Sequence, residues 1–459
     1  MSLLKQREHG QEHPYWSAGP FKIRLPFIHY RWEWAETVQA LILFVVNLAM
    51  IPLLQKYLGL PYDIAMTYVM VCGFGIMLPA LLGIPFIPGW ITPAIPVVLM
   101  FLGNFEPGPE AIRALVGLQL IVTLIFFVFG ITGWGRKLVD VIPNSIKAGI
   151  LIGAGIAAIT GEISTGGRAA TTPISVALGF IIIAYMLFSE SFQETIRSNR
   201  WARRIVNYGM VPGMIIAMFI GWGVGEYKLP NVEMGINAPN FSGLIDYLPF
   251  TLGWPSLEML WMAVPTAIIA YIIAFGDIIV GQKLIERVDN ERKDELIKLD
   301  IDRVHFITAI RNLLHSFFAP YPGLSGPLFT GAMVTITERY RQGRKAMDSI
   351  YSGAGTLWIA GFIALFMLPL VTFFKPVLPV ALSLTLLITG YLCIAVGSEQ
   401  VKNNTTSMGV AGTMGVILAV HGAAYGLIAG FVMYMLLERK KDRAKQVETK
   451  PEEVVEADS

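Results

Sequence analysis

Gly83-Ile84-Pro85-Phe86-Ile87-Pro88-Gly89-Trp90-Ile91-Thr92-Pro93-Ala94 and Pro320-Tyr321-Pro322-Gly323-Leu324-Ser325-Gly326-Pro327-Leu328-Phe329-Thr330-Gly331 interrupt the apolar pattern at matching places in the two halves of the chain. An unbroken helix does not tolerate either run, because each proline lacks an N–H and crowds the turn before it. Each run leads into a short apolar segment, at 91–102 and 325–337. Non-helical backbone at membrane depth is tolerated only where protein covers it or where it lines a cavity, so interrupted segments at equivalent positions point to a transporter's binding site. A half-helix that begins near the midplane aims free N–H groups and its positive dipole end into that cavity. Such an end suits carbonyl oxygens or negative charge.

The composition around these runs is that of a chain solvated by lipid. It is 54% hydrophobic and 15% charged, against about 25% charged in an ordinary soluble domain. Apolar stretches long enough to cross a bilayer recur, at 36–54, 64–82, 91–102, 112–133, 145–163, 172–188 and 208–224, and again at 257–283, 303–319, 325–337, 349–369, 375–393, 408–420 and 422–437. That is seven and seven, with an interrupted segment third in each half. The net charge of +2 hides an asymmetry. Basic residues gather at Lys22, Arg24 and Arg31, at Arg136 and Lys137, at Arg197, Arg200, Arg203 and Arg204, and within 283–303, 339–345 and 439–445. The alternate loops near Gly59, Asn104, Thr165, Asn237 and Lys375 carry few. The positive-inside rule then puts both termini in the cytoplasm and requires an even number of crossings. The expected organisation is a cytoplasmic segment 1–33, a first seven-span repeat 34–225, an external loop 226–256, a second repeat 257–437 and a cytoplasmic tail 438–459. The fold class is all-α and polytopic, with fourteen spans in two inverted repeats. No secretory signal peptide is read at the N-terminus, and Cys72 and Cys393, both inside apolar runs, read as packing residues rather than a disulfide or metal pair.

One acid stands out. Asp277, in Ala274-Phe275-Gly276-Asp277-Ile278-Ile279, follows a long uncharged run, and an ionisable group at depth costs at least about 2.5 kcal/mol even on lenient insertion scales. It is the expected substrate contact and carrier of a coupling proton. Gln39 on the first span, Thr92 at the first short helix, and Ser325, Gly326 and Thr330 at the second are expected to line the same site. Thr92 and Ser325 also read as N-caps. Asn312 and His315 in the ninth span are candidates for ion coupling, Asn47 reads as interhelical glue, and Lys147 and Glu162 as residues that snorkel from the ends of the fifth span. No phosphate loop, metal-ligand histidine pair or nucleophile elbow occurs, and the mixed-sign stretch 284–302 is a solvated connector rather than a nucleic-acid patch. A single deep acid with no second carboxylate or nucleophile argues against an enzyme. No cofactor and no metal are expected.

Arg311-Asn312-Leu313-Leu314-His315-Ser316-Phe317-Phe318-Ala319-Pro320-Tyr321-Pro322 resembles the ninth-span motif of the nucleobase–ascorbate (xanthine/uracil) permeases, structural relatives of the sulfate permeases. Ile142-Pro143-Asn144-Ser145-Ile146-Lys147-Ala148-Gly149 resembles the start of their fifth span. Gln39 falls where many members carry a first-span Gln, and Asp277 where they carry the eighth-span acid that binds substrate. The resemblance implies a core domain of spans one to four and eight to eleven, a gate domain of the remainder, and a homodimer in the plasma (inner) membrane. Two positions depart from the nucleobase pattern. The start of the tenth helix reads Gly326-Pro327-Leu328-Phe329-Thr330-Gly331 where a second acid is usual, and Trp90-Ile91-Thr92-Pro93-Ala94 lacks the usual paired serines and is closer to the sulfate branch. That branch commonly carries a folded domain after the last span, which residues 438–459 do not suggest. The expected function is proton- or sodium-coupled uptake of a nucleobase-like solute, with transport or exchange of a small anion such as sulfate, bicarbonate or a carboxylate as the alternative. The expected partners are that small-molecule substrate, a coupling ion, the lipid bilayer and a second copy of the chain, with no nucleic acid.

Overall fold

A computed structural model describes residues 7–134, 137, 141–164, 167–199 and 210–439. Arg136, Thr165, Arg200, Arg203, Arg204, the first residues of the 208–224 span and the tail from Lys440 onward lie outside the described residues. Helices dominate: α1 Trp34–Leu48, α2 Ile51–Leu58, α3 Tyr62–Leu81, α4 Ile95–Leu102, α5 Pro109–Thr132, α6 Asn144–Ile163, α7 Pro173–Phe188, α8 Glu190–Ser198 and α9 Val211–Val224. They continue with α10 Leu257–Glu291, α11 Ile301–Phe318, α12 Thr330–Arg341, α13 Ile350–Leu365, α14 Leu368–Phe374, α15 Leu378–Val401, α16 Thr405–His421 and α17 Ala423–Leu437. Five stretches are long and apolar enough to cross a membrane: α3, α5, α6, α10, and α14 with α15, a run whose mean hydropathy is 2.2. Shorter apolar helices accompany them.

Prolines explain where the expected spans divide. The stretch 36–54 breaks after Leu48 and restarts as α2 with Pro52 in its first turn, and 349–369 breaks before α14, which also opens on a proline. A proline there loses nothing, since a first-turn N–H has no intrahelical acceptor. The span from 257 instead runs on to Glu291. Its polar end is laced by hydrogen bonds from Gln282 to Glu286 and from Arg287 to Glu291, four residues apart as neighbours on one helix face.

Small residues let the central helices approach. A methyl on Gly155 of α6 would lie 2.6 Å from the Gly390 carbonyl of α15, and one on Gly390 would lie 2.9 Å from the Gly155 carbonyl. Close backbone contact is how helices associate in lipid, where apolar burial gives little advantage. Glu162 departs from its expected snorkelling. It is buried and accepts a hydrogen bond from the Ser383 hydroxyl of α15, so its carboxyl group ties the two helices together. Cys72 and Cys393 are both buried and unpaired.

The N-terminal segment is built, not trailing. Strand β1, Gln11–Glu12, lies parallel to β5, Glu295–Leu296, and Trp16–Ala18 with Phe21–Ile23 (β2 and β3) form a hairpin. The backbone N–H groups of Lys22 and Arg24 donate to the Leu82 and Leu81 carbonyls, filling acceptors that the end of α3 leaves open. Arg24 bonds Glu12 and lies 3.7 Å over the Tyr351 ring, and Arg7 and Arg292 both bond Asp294. The hydrogen bonds from Arg292 and Arg7 outweigh the effect of burial and hold the Asp294 carboxyl at about 2.

His13 lies at the centre of this clasp. Arg7 donates to its Nδ1 at 2.9 Å, so the ring is neutral and its Nε2–H donates to the His29 carbonyl at 2.8 Å. Burial, with Arg7 and Arg24 close by, lowers its pKa to about 3 from 6.5. Because the folded value lies below the unfolded one, this contribution to stability is complete above pH 6.5 and is lost as pH falls through the window toward 3. Lowering the pH from 7 to 5 should therefore cost about 2 kcal/mol through this residue, read as a fall in the thermal melting midpoint of detergent-solubilised protein. His13→Gln, which keeps an acceptor for Arg7 and a donor for His29, should flatten that dependence. An unchanged pH profile in the variant counts against the assignment.

Candidate functional site

The two interrupted runs meet. Gly89–Trp90 (β4) pairs antiparallel with Ser325–Gly326 (β6), Gly89 opposite Gly326 and Trp90 opposite Ser325. The ladder extends on both sides, with Ile91 N–H donating to the Gly323 carbonyl at 3.0 Å and Phe329 N–H to the Ile87 carbonyl at 2.7 Å. Extended backbone inside an apolar body must satisfy every polar group locally, and α11 supplies what the short ladder lacks. Asn312 works as a backbone mimic: its Oδ1 accepts from Ser325 N–H at 2.9 Å and its Nδ2 donates to the Ser325 carbonyl at 3.0 Å. Arg311 donates to the Gly326 carbonyl at 2.7 Å and to the Gly89 carbonyl at 3.1 Å, spanning the pair. His315 Nδ1 and the Ser325 hydroxyl share a hydrogen bond of 2.9 Å. Leu324, just before β6, holds a positive φ of 46° while fully buried. A branched residue there is strained, and such strain persists only where the surroundings enforce it.

The crossing is fixed from the other side as well. Trp90 Nε1 donates to Asn47 Oδ1 of α1 at 3.0 Å, and Tyr321 N–H donates to Gln119 Oε1 of α5. The Trp90 and Tyr321 rings lie 4.5 Å apart. Asn47 thus ties α1 to the strand crossing rather than to another helix.

Beyond the strands the chain turns into two short helices. The first opens as a 3-10 turn, Thr92–Ala94, and passes into α4. Ala94 N–H is taken by the Ile91 carbonyl and Pro93 has none to offer, so Thr92 is the main donor at this start. The second, α12, begins at Thr330 with no side-chain cap. Its first free N–H groups, on Thr330, Gly331 and Ala332, carry the positive end of the helix. Neither Thr92 nor Ser325 serves as an N-cap. Thr92 Oγ1 reaches only the Trp90 carbonyl, at 3.5 Å, and Ser325 lies within β6, five residues before α12.

Helix α10 passes alongside and packs against both half-helices. A methyl on Gly281 would press on the Phe86 ring at 2.7 Å, whereas one on Gly276 would meet nothing within 4 Å. The helix therefore seals against the first interrupted run and opens one turn earlier, at Gly276 and Asp277. Asp277 is half-buried, forms no hydrogen bond or ion pair with any described residue, and lies near enough to Cys393 of α15 to interact with it electrostatically. Thr92 and Asp277 are half-buried and Thr330 is exposed.

The residues singled out from sequence fall into three groups. Gly326 lies in the crossing, Thr92 and Thr330 open the two helices that follow it and Asp277 lies on α10, while Ser325, Asn312 and His315 are engaged with one another in holding β6. Gln39 lies on α1 two turns before Asn47, about 12 Å along the axis at about 1.5 Å per residue, buried and with no hydrogen bond to any described residue. Arg311, Trp90 and Gln119 were not singled out. An arginine in the ninth span directly before the motif Asn is the signal that would have found the first of them.

A family model named for xanthine/uracil permeases, Xan_ur_permease, described as Permease family, matches residues 37–322. Among solved structures, the transmembrane domain of a cyanobacterium bicarbonate transporter, BicA, is similar with a TM-score of 0.54 at 15% identity, covering 86% of this chain and 96% of that one. SLC26A9 is similar with a TM-score of 0.53 at 12% identity, covering 87% of this chain and 64% of that one. At such identities the likeness is one of fold. No curated protein sequence matches the chain.

Proposed function

The chain belongs to the Permease family of the xanthine/uracil type, and from that premise we propose that it is a secondary active transporter of a small planar, carbonyl-bearing solute of the nucleobase kind. The antiparallel meeting of Gly89–Trp90 with Ser325–Gly326 carries this reading, because it sets two half-helix starts beside the open stretch of α10. Ring carbonyls of the solute accept from the free N–H groups at Thr330 to Ala332 and from Thr92, while a ring N–H donates to Asp277. Asp277 also takes up a coupling proton, or faces a sodium ion in its place.

Fourteen crossings arranged as two inverted repeats of seven support alternating access. A core of spans one to four and eight to eleven, 34 to about 137 and 257 to about 374, would carry the site past a gate built on α6, α7, α9 and α15 to α17. The protein works as a homodimer in the cell membrane with both termini cytoplasmic, and it is not an enzyme. Small-anion transport or exchange is the second reading, favoured by the absence of a carboxylate on the 326–331 stretch of α12's approach.

Uptake of radiolabelled uracil, xanthine, bicarbonate, sulfate and a dicarboxylate into proteoliposomes tests the proposal, with acid-outside or sodium gradients imposed in turn. Saturable nucleobase uptake that collapses with one of the gradients is the expected result. Saturable sulfate flux without nucleobase competition overturns the first reading in favour of the second.

A further inference from the structure

Four arginines of the described chain are fully or almost fully buried, and three of them have a carboxylate. Arg7 pairs with Asp294 and Glu295, Arg24 with Glu12, and Arg292 with Asp294. Arg311 is 0% exposed and pairs with none. Its two terminal nitrogens each donate once, to the Gly326 and Gly89 carbonyls, its Nε–H has no acceptor among the described residues, and its other near neighbours, the Trp90 ring 5.8 Å from the guanidinium, the Cys72 thiol and the His315 ring, carry no carboxylate. A guanidinium keeps its proton in proteins, and a buried charge is expensive unless something completes it.

The two carbonyls it binds belong to the register partners of the crossing, three and four residues before the two half-helix starts. Arg311 therefore occupies two oxygens that would otherwise repel an anion and adds a full positive charge to the two half-charges of the helix ends. Against these stands the single carboxylate of Asp277. The sum at the site is positive whether or not Asp277 carries a proton.

We propose that Arg311 is a specificity-determining residue, and that the solute enters as a planar, carbonyl-bearing monoanion that completes the charge Arg311 leaves open. The inference rests on the site at the β4–β6 crossing proposed above and deepens it by naming the charge of the substrate. Two sources share this chemistry, a heterocycle bearing a carboxylate and a free inorganic oxoanion, and the experiment separates them.

Binding of uracil, its carboxylated monoanion orotate, bicarbonate and sulfate to the purified full-length protein is measured by ligand-induced thermal shift and by competition for uptake in proteoliposomes. Wild type should prefer orotate or bicarbonate over neutral uracil by at least about tenfold, the size of effect a single charge gives across a protein interior. Orotate preferred over bicarbonate identifies a heterocyclic source, and the reverse an inorganic one. Arg311→Met should erase the preference for the monoanion, whereas Arg311→Lys, which keeps the charge and loses the double carbonyl bond, should retain it at a lower rate. A purely structural arginine lowers rate and melting midpoint in both variants and leaves the selectivity ratio where it was, which overturns the proposal.

A wild type that prefers uracil, or that binds neither monoanion at millimolar concentration, overturns it without recourse to any variant. Failure of the site reading looks different, since binding that is indifferent to Thr330→Val moves the solute away from the crossing whatever its charge.

Discussion

Asp277→Asn is expected to lower solute flux by about 10- to 100-fold while leaving the melting midpoint equal to or above that of wild type. Two features of the residue separate these effects. The carboxylate has no hydrogen-bond or ion-pair partner among the described residues, so the fold loses no contact when its charge is removed. It also pays a desolvation cost that the isosteric amide escapes, because a charge held away from water is unfavourable unless paired. Function loses what the fold does not need. A hydrogen bond to a charged group is worth about 1.5–3 kcal/mol, and an amide cannot pick up and release a coupling proton, so any proton-driven component should vanish outright. Initial rates of uptake into proteoliposomes, with melting curves on the same preparations, decide it. Wild-type flux in Asp277→Asn moves the site elsewhere, and a marked loss of stability makes Asp277 a structural residue.

The separation of fold from function is also what made some parts of this protein legible in its sequence and hid others. The interrupted runs and Asp277 declared themselves because each breaks a local rule: prolines and glycines inside an apolar pattern, and a lone acid after a long uncharged stretch. Local rules carry no information about partners far away in the chain. Nothing near Gly89 shows that it lies opposite Gly326, and nothing near Asn312 distinguishes a side chain poised for an ion from one whose amide is already committed to Ser325.

Thr92 and Ser325 looked like N-caps because hydroxyls precede helices so often. The helices begin elsewhere because the strand pairing takes the residues between. Glu162 looked like a snorkelling end residue because its acceptor role depends on Ser383, in the other half of the chain. The sequence reads residues 1–33 only as a cytoplasmic segment for the same reason. Its order comes from Asp294, Glu295 and Tyr351, none of which is near it in sequence.

Gly326→Ala should lower both stability and transport. The added methyl would lie 2.9 Å from the Trp90 carbonyl carbon, 3.0 Å from the Ile91 nitrogen and 3.1 Å from the Trp90 oxygen. All three are backbone atoms of the opposite strand, so no side-chain rotation relieves the contact and the strands must move apart. Paired strands sit about 4.8 Å apart in the hydrogen-bonding direction. Widening that gap stretches the bond from Ile91 N–H to Gly323 and denies Arg311 one of its two carbonyls. Overpacking of this kind costs about 1–3 kcal/mol, and because both half-helix starts are carried on the strands, flux should fall by at least about tenfold as well.

Gly276→Ala is the matched control. A methyl there meets nothing within 4 Å and replaces a glycine inside α10, so stability should rise by up to about 1 kcal/mol. Melting midpoints that fall for Gly326→Ala and rise for Gly276→Ala locate the rigid part of the site at the strand crossing and the open part on α10. Equal tolerance of both substitutions would mean that the strands are not held at this distance, and that the two half-helix starts are not fixed by their pairing.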